Sequence, residues 1–93
     1  MGHKWTELDD MAALYVYKFG EGTLTSEFLC GKLQLKRTSF TMRVQNFQAI
    51  DGHGGLPNYA KQSAAIYDRF NSLTEPELRA SILNAVHRQT PRT

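Results

Sequence analysis

The sequence predicts an all-α fold: a compact bundle of about five short helices containing a helix-turn-helix-like pair. Three observations carry this. Apolar residues recur at spacings of three and four in five separate segments. No segment of useful length alternates apolar and polar residues with period two, so strands are not expected. Helix-start and helix-stop residues punctuate the chain between the segments. At 93 residues the chain lies well below the size at which cores divide. One helical domain is therefore expected over 1–93, with a core over about 5–88 and a tail over 89–93. No internal repeat or low-complexity tract interrupts it.

Each element has a local reason. Thr6 can cap the first helix, with Asp9 placed for a reciprocal bond and Glu7 in the first turn. Leu8, Met11, Ala12, Tyr15 and Phe19 then supply the inward face. Gly20, Gly22 and Thr23 end the helix and turn the chain. Thr25 or Ser26 opens a second helix, Glu27 to about Leu35, with Phe28, Leu29, Leu33 and Leu35 apolar. Gly31 inside it lowers helix propensity by about 1 kcal/mol relative to Ala and leaves room for a close neighbour. A third helix is expected after Thr38 or Ser39, over 38–50, with Phe40, Val44 and Phe47 buried. Asp51 to Pro57, rich in glycine, reads as a loop. A fourth helix runs from Lys61 to Phe70, with Ala65, Ile66 and Phe70 inward. Thr74-Glu75-Pro76-Glu77 is a capping box with proline in the first turn. Leu78, Ile82 and Val86 form the inner face of the fifth helix.

Composition narrows the function classes. Hydrophobic residues make up 41% and charged residues 22%, near the globular average, so pervasive disorder is excluded. The single cysteine, Cys30, permits no intrachain disulfide. His3, His53 and His87 do not stand at zinc-ligand spacing from Cys30 or from one another. The N-terminus lacks the basic-then-apolar layout of a signal peptide, and the apolar run Met11–Val16 is too short to span a bilayer. A cytoplasmic chain with no membrane partner, no metal and no cofactor is the expectation.

The net charge is only +2, but the charge is unevenly placed. Glu7, Asp9, Asp10, Glu21 and Glu27 crowd the first helix and its exit. From Phe28 to Ile50 no acidic residue occurs, while Lys32, Lys36, Arg37 and Arg43 do. A basic block over two helices joined by a short turn is the electrostatic footprint of a DNA-docking helix-turn-helix. The plainer reading of such a block is a solvated helix face. With Phe40, Val44 and Phe47 inward, the third helix turns Thr41, Met42, Gln45, Asn46 and Ala49 outward, with Arg43 on the boundary. Gln and Asn suit adenine edges, Arg suits guanine, and Thr or Met can meet a pyrimidine methyl group. Thr38 and Ser39 at the helix start suit a phosphate.

A wider pattern accompanies these residues. Trp5-Thr6 with Asp9, Ala13-Leu14-Tyr15 with Tyr17, and Leu33 with Leu35 precede Arg37-Thr38-Ser39, Met42-Arg43, Asn46-Phe47, Ala49 and Asp51. Gly55-Leu56, Ile66-Tyr67 and Phe70 follow. Over about residues 5–70 the pattern resembles the N-terminal helical domain of bacterial HNH-type, McrA-like restriction endonucleases and related proteins. The resemblance implies a DNA-recognition module acting for a nuclease. It places Arg37, Thr38, Ser39, Met42, Arg43 and Asn46 at DNA-facing or helix-fixing positions. Three positions depart from the family pattern: Phe40 replaces a smaller apolar residue, Lys61-Gln62 replaces Ser-Lys, and Tyr67 replaces Trp. Nothing in the sequence resembles an HNH metal site.

Catalytic readings are weaker. Cys30 lies among apolar residues and reads as a small core hydrophobe. Asp9 and Asp10 are adjacent and cannot face one another on a helix. Asp51 and His53 form no recognisable acid–base pair, and their glycine run lacks phosphate-loop spacing. The expectation is a non-catalytic domain that binds double-stranded DNA through the helix 38–50. Thr41, Arg43, Gln45 and Asn46 would face base edges, with Met42 beside them. Lys32, Lys36, Arg37, Thr38 and Ser39 would contact the backbone. His87, Arg88 and Arg92 offer a second phosphate arm. Tyr15 and Tyr17 cannot both point inward, so one of them, with the fifth helix, is a candidate dimer surface. The alternative function is a helical interaction module that binds a nuclease or another protein. A further alternative makes the chain a fragment of a larger restriction enzyme, with residues 90–93 beginning a linker.

Overall fold

Thr6 and Asp9 close a capping box: the Asp9 N–H donates to the Thr6 hydroxyl at 3.1 Å, and the Thr6 N–H donates to the Asp9 carboxylate at 3.0 Å. This starts α1, Glu7–Phe19, in the computed structural model, which describes residues 5–20, 22–51 and 61–89. The helices that follow are α2 (Ser26–Leu33), α3 (Arg37–Ile50), α4 (Lys61–Phe70) and α5 (Glu75–Gln89). The fold is an all-α bundle, with no strand among the described residues. The glycine loop expected after Asp51, including His53, and the tail beyond Gln89, including Arg92, lie outside them.

The first helix is the axle of the bundle. It packs against each of the other helices. Leu8 through Tyr15 are consecutively buried, so α1 is covered on almost every side rather than along one stripe. Ala12 and Ala13 are fully buried, and their small side chains let neighbouring helices come close. Asp9 and Asp10 are buried, Asp9 in the capping box and Asp10 in an ion pair described below. Gly20 ends α1 at a φ of +70°, where an L side chain is strained, and its N–H donates to Val16 O.

The second helix stops at Leu33, two residues short of the expected Leu35. Gln34 takes the left-handed conformation at a φ of 58°. The N–H of Leu35 then reaches back to Cys30 O at 2.9 Å, the long bond of a Schellman turn. Leu35 is buried after leaving the helix, which is why its apolar character suggests a continuation. Gly31 is exposed, and a Cβ at this position would meet nothing within 4 Å, so it serves no close helix approach.

The third helix begins at Arg37, earlier than the expected caps Thr38 and Ser39. Lys36 is the extended N-cap residue, and no side chain caps the helix. Phe40 and Phe47 are fully inward, at 1% and 0% exposure, while Val44 is half-buried. Starting one residue after the Leu35–Lys36 link aligns that Phe40–Phe47 row with α1. In α4 the inward residues are Ser63 and Ile66; Ala65 is exposed, a correction to the apolar reading of that helix. The described residues resume at Lys61, already in the helix, so the start of α4 lies outside them. The capping box of α5 forms, with Thr74 N–H to Glu77 at 2.8 Å and the Glu77 N–H to Thr74 at 3.4 Å. Leu78, Ile82 and Val86 are buried as expected.

Candidate functional site

The outer face of α3 is built from residues that the core does not use. Lys36, Arg37, Thr38, Thr41, Met42 and Gln45 are exposed, and Met42 is 67% exposed. Met42 stands between two shallow depressions. One, of about 340 Å³, is lined by Arg37, Thr38, Thr41 and Met42. The other, of about 240 Å³, is lined by Trp5, Ser39, Met42, Arg43 and Asn46. Ser39 is half-buried. Asn46 is also half-buried, and its amide donates to Met42 O at 3.3 Å, so it is engaged with its own helix.

Arg43 is not placed as expected. Its guanidinium turns inward and donates to both oxygens of Asp10, at 2.7 and 2.9 Å. It also lies over the Trp5 ring, 4.7 Å from the centroid. Asp10 accepts two more bonds, from Ser63 Oγ at 2.6 Å and Gln62 Nε2 at 2.7 Å. Gln62 further donates to Trp5 O at 3.0 Å. A buried carboxylate with this many donors is satisfied, and the cluster ties α1, α3 and α4 together. Arg43 is thus a helix-fixing residue, and its assignment to a base edge is corrected. Gln62 belongs to the same cluster.

A second carboxylate fixes the other end of α3. Asp51 caps the helix C-terminus and accepts hydrogen bonds from Tyr17 at 2.7 Å and from Tyr67. Burial, then the bond to Asp51, pushes the Tyr17 phenol up to about 12. The Tyr67 phenol is raised first by its bond to Asp51 and then by burial. Tyr67 therefore supplies the second donor to Asp51. Tyr15 is buried and donates to Glu75, whose carboxyl is lowered by that bond and by Arg79. Neither tyrosine of α1 is a bare surface, which removes the expected exposed tyrosine from the dimer argument.

The remaining basic residues divide between two regions. Lys32 lies over the Phe28 ring at 5.8 Å and lines a groove with His87 on α5, away from the depressions flanking Met42. Arg88 is exposed near the end of α5. Cys30 is buried. Among the described residues no three of His, Cys, Asp and Glu gather as metal ligands would, and no helix is long and apolar enough to cross a membrane.

The Asp10 cluster has a readable signal. Asp10 precedes Ala13 by three residues and Leu14 by four, so it lies on a buried face of α1. Ser63 stands at the same spacings before Ile66 and Tyr67. Polar residues at helical period within an apolar row mark buried partners. Comparison with family models, curated proteins and solved structures finds no match to this chain.

Proposed function

We propose that the chain is a non-catalytic DNA-binding domain in which α2 and α3 act as a helix-turn-helix and α3 enters the major groove. The observation that carries this reading is the outer face of α3: Arg37, Thr38, Thr41, Met42 and Gln45 are exposed together, while the carboxylates near the helix, Asp10 and Asp51, are bonded inward. Three residues, Gln34 to Lys36, join α2 to α3, and helix-turn-helix connections are typically about 3–4 residues long. Gln45 and Thr41 meet base edges, and Met42 meets a pyrimidine methyl group. Lys36 and Arg37 meet phosphate beside a helix start that lacks a side-chain cap, where backbone N–H groups favour an anion. Arg43 and Asn46 hold the helix.

The resemblance to the restriction-endonuclease domain supports a cytoplasmic recognition module that acts for a nuclease. A helix-turn-helix of this size usually needs a second copy or an arm to reach specific affinity. Selection of bound duplexes from a random pool tests the proposal, followed by gel shifts over a range of salt. Enrichment of one site is expected, with a palindrome if two copies bind. Unchanged affinity in both Arg37→Ala and Gln45→Ala refutes the groove assignment.

A further inference from the structure

The described surface exposes three large hydrophobic side chains, Phe28, Met42 and Leu83. Met42 belongs to the α3 face. Phe28 and Leu83, at 38% and 36% exposure, face one groove between α2 and α5. Val86, 8% exposed, also lines it, with Lys32 and His87; the groove measures about 310 Å³. Scattered exposed hydrophobics need no explanation, but two of them lining one groove with a nearly buried third form a patch. A groove of this size, near the lower bound of about 300 Å³ for ligand pockets, takes one or two side chains.

We infer that this α2–α5 groove docks an acidic amphipathic segment of a partner protein. An apolar side chain of the partner sits among Phe28, Leu83 and Val86. Carboxylates one turn away bond Lys32 and His87. The charge decides the occupant. Each wall follows its apolar residue with a basic one at a spacing of four, Phe28 to Lys32 and Leu83 to His87. Among the described residues the lining contains no carboxylate. A twofold contact of the groove with itself would offer Lys32 no carboxylate from the described lining, which disfavours a second copy of the chain. A phosphate backbone offers nothing apolar to Phe28 and Leu83, which disfavours DNA. An amphipathic acidic helix satisfies both parts of the surface.

Two synthetic helical peptides with the same apolar stripe test this on the full chain, one flanked by Glu and the other by Lys. In a nuclear magnetic resonance titration, the Glu peptide is expected to move the amide signals of Phe28, Lys32, Leu83 and His87. It is expected to bind at least about tenfold more tightly than the Lys peptide. Lys32→Glu should abolish that preference, and Leu83→Asp should abolish binding while circular dichroism stays unchanged. Gln45→Ala on the α3 face should leave peptide binding as it is. Equal binding of the two peptides, or no shift at the groove, overturns the inference. So does self-association abolished by Leu83→Asp, or a short DNA duplex moving the same four signals.

Discussion

Arg43 of α3 and Asp10 of α1 form a two-point ion pair across the core, with Asp10 fully buried and the Arg43 side chain 15% exposed. The pair fixes more than distance. A planar guanidinium held at both donors also fixes the rotation of α3 about its own axis. That rotation decides which side chains face out, and it places Thr41, Met42 and Gln45 there. The Asp51 bonds from Tyr17 and Tyr67 hold the other end of the same helix. The two carboxylates thus act as pegs for a helix whose remaining surface faces outward.

Removing the cation should be costly. Arg43→Ala leaves the Asp10 carboxylate buried with Ser63 and Gln62 as its remaining donors among the described residues, a loss of about 3–5 kcal/mol. Arg43→Lys keeps the charge but loses the second bond, so it should fall between wild type and Ala. Urea unfolding measures both. In a double-mutant cycle, Arg43→Leu with Asp10→Leu should cost less than the two single changes summed, because no lone charge remains. Simple additivity would mean that the pair is not coupled.

The tyrosine clamp predicts an alkaline dependence of stability. In the folded chain the Tyr17 phenol is raised to about 12 from an ordinary value of 10.0. Between those values the folded state holds a proton that the unfolded state has lost. Stability is therefore fully present below pH 10 and declines as pH rises toward 12. Tyr15 and Tyr67 are shifted in the same direction. Thermal melts across that range should show a falling midpoint, with a shallower fall in Tyr17→Phe. Near neutral pH the same substitution should cost about 1 kcal/mol for the lost hydrogen bond. A slope as steep in Tyr17→Phe as in wild type would remove Tyr17 as its source.

Gln34 offers a stabilising change. It occupies the left-handed region at a φ of 58° and is exposed, so its side chain adds no packing there. An L residue in that region costs about 1–2 kcal/mol, and glycine is the usual occupant of this turn. Gln34→Gly should raise stability by up to about 1 kcal/mol, the gain being trimmed by the freer unfolded chain. Denaturant midpoints check it. A lower midpoint would place the Gln34 side chain in a role that the turn geometry does not require.

Much of the fold is legible in the sequence because periodicity and caps act locally. Thr6 with Asp9 and Thr74 with Glu77 set helix starts within four residues of sequence, and both boxes form. Sequence and structure part where tertiary contact overrides local chemistry. Thr38 and Ser39 are better caps than Lys36, yet α3 starts at Arg37 because burial of Leu35 and Phe40 sets the register. Counting charge along the chain groups Glu7, Asp9 and Asp10 as one acidic stretch, whereas counting around the helix separates exposed Glu7 from buried Asp9 and Asp10. Arg43 reads as a boundary residue for the same reason: its partner lies 33 residues away. The exposed set Thr41, Met42 and Gln45 is readable, since it is the complement of the Phe40–Phe47 row.

That complement yields the prediction most specific to the proposed function. Lys36 and Arg37 are assigned to phosphate, so Lys36→Ala and Arg37→Ala should weaken binding to all duplexes alike. Each should reduce the slope of log affinity against log salt by about 1. Gln45 is assigned to a base edge, so Gln45→Ala should leave the slope unchanged and cost about 1–3 kcal/mol on the selected site alone. All three side chains are exposed, and their removal should leave the melting temperature within experimental scatter. Gel shifts on the selected and a scrambled duplex, each at several salt concentrations, separate the two behaviours. Equal losses on both duplexes for Gln45→Ala would mean that the outer face of α3 holds the backbone and does not read the bases.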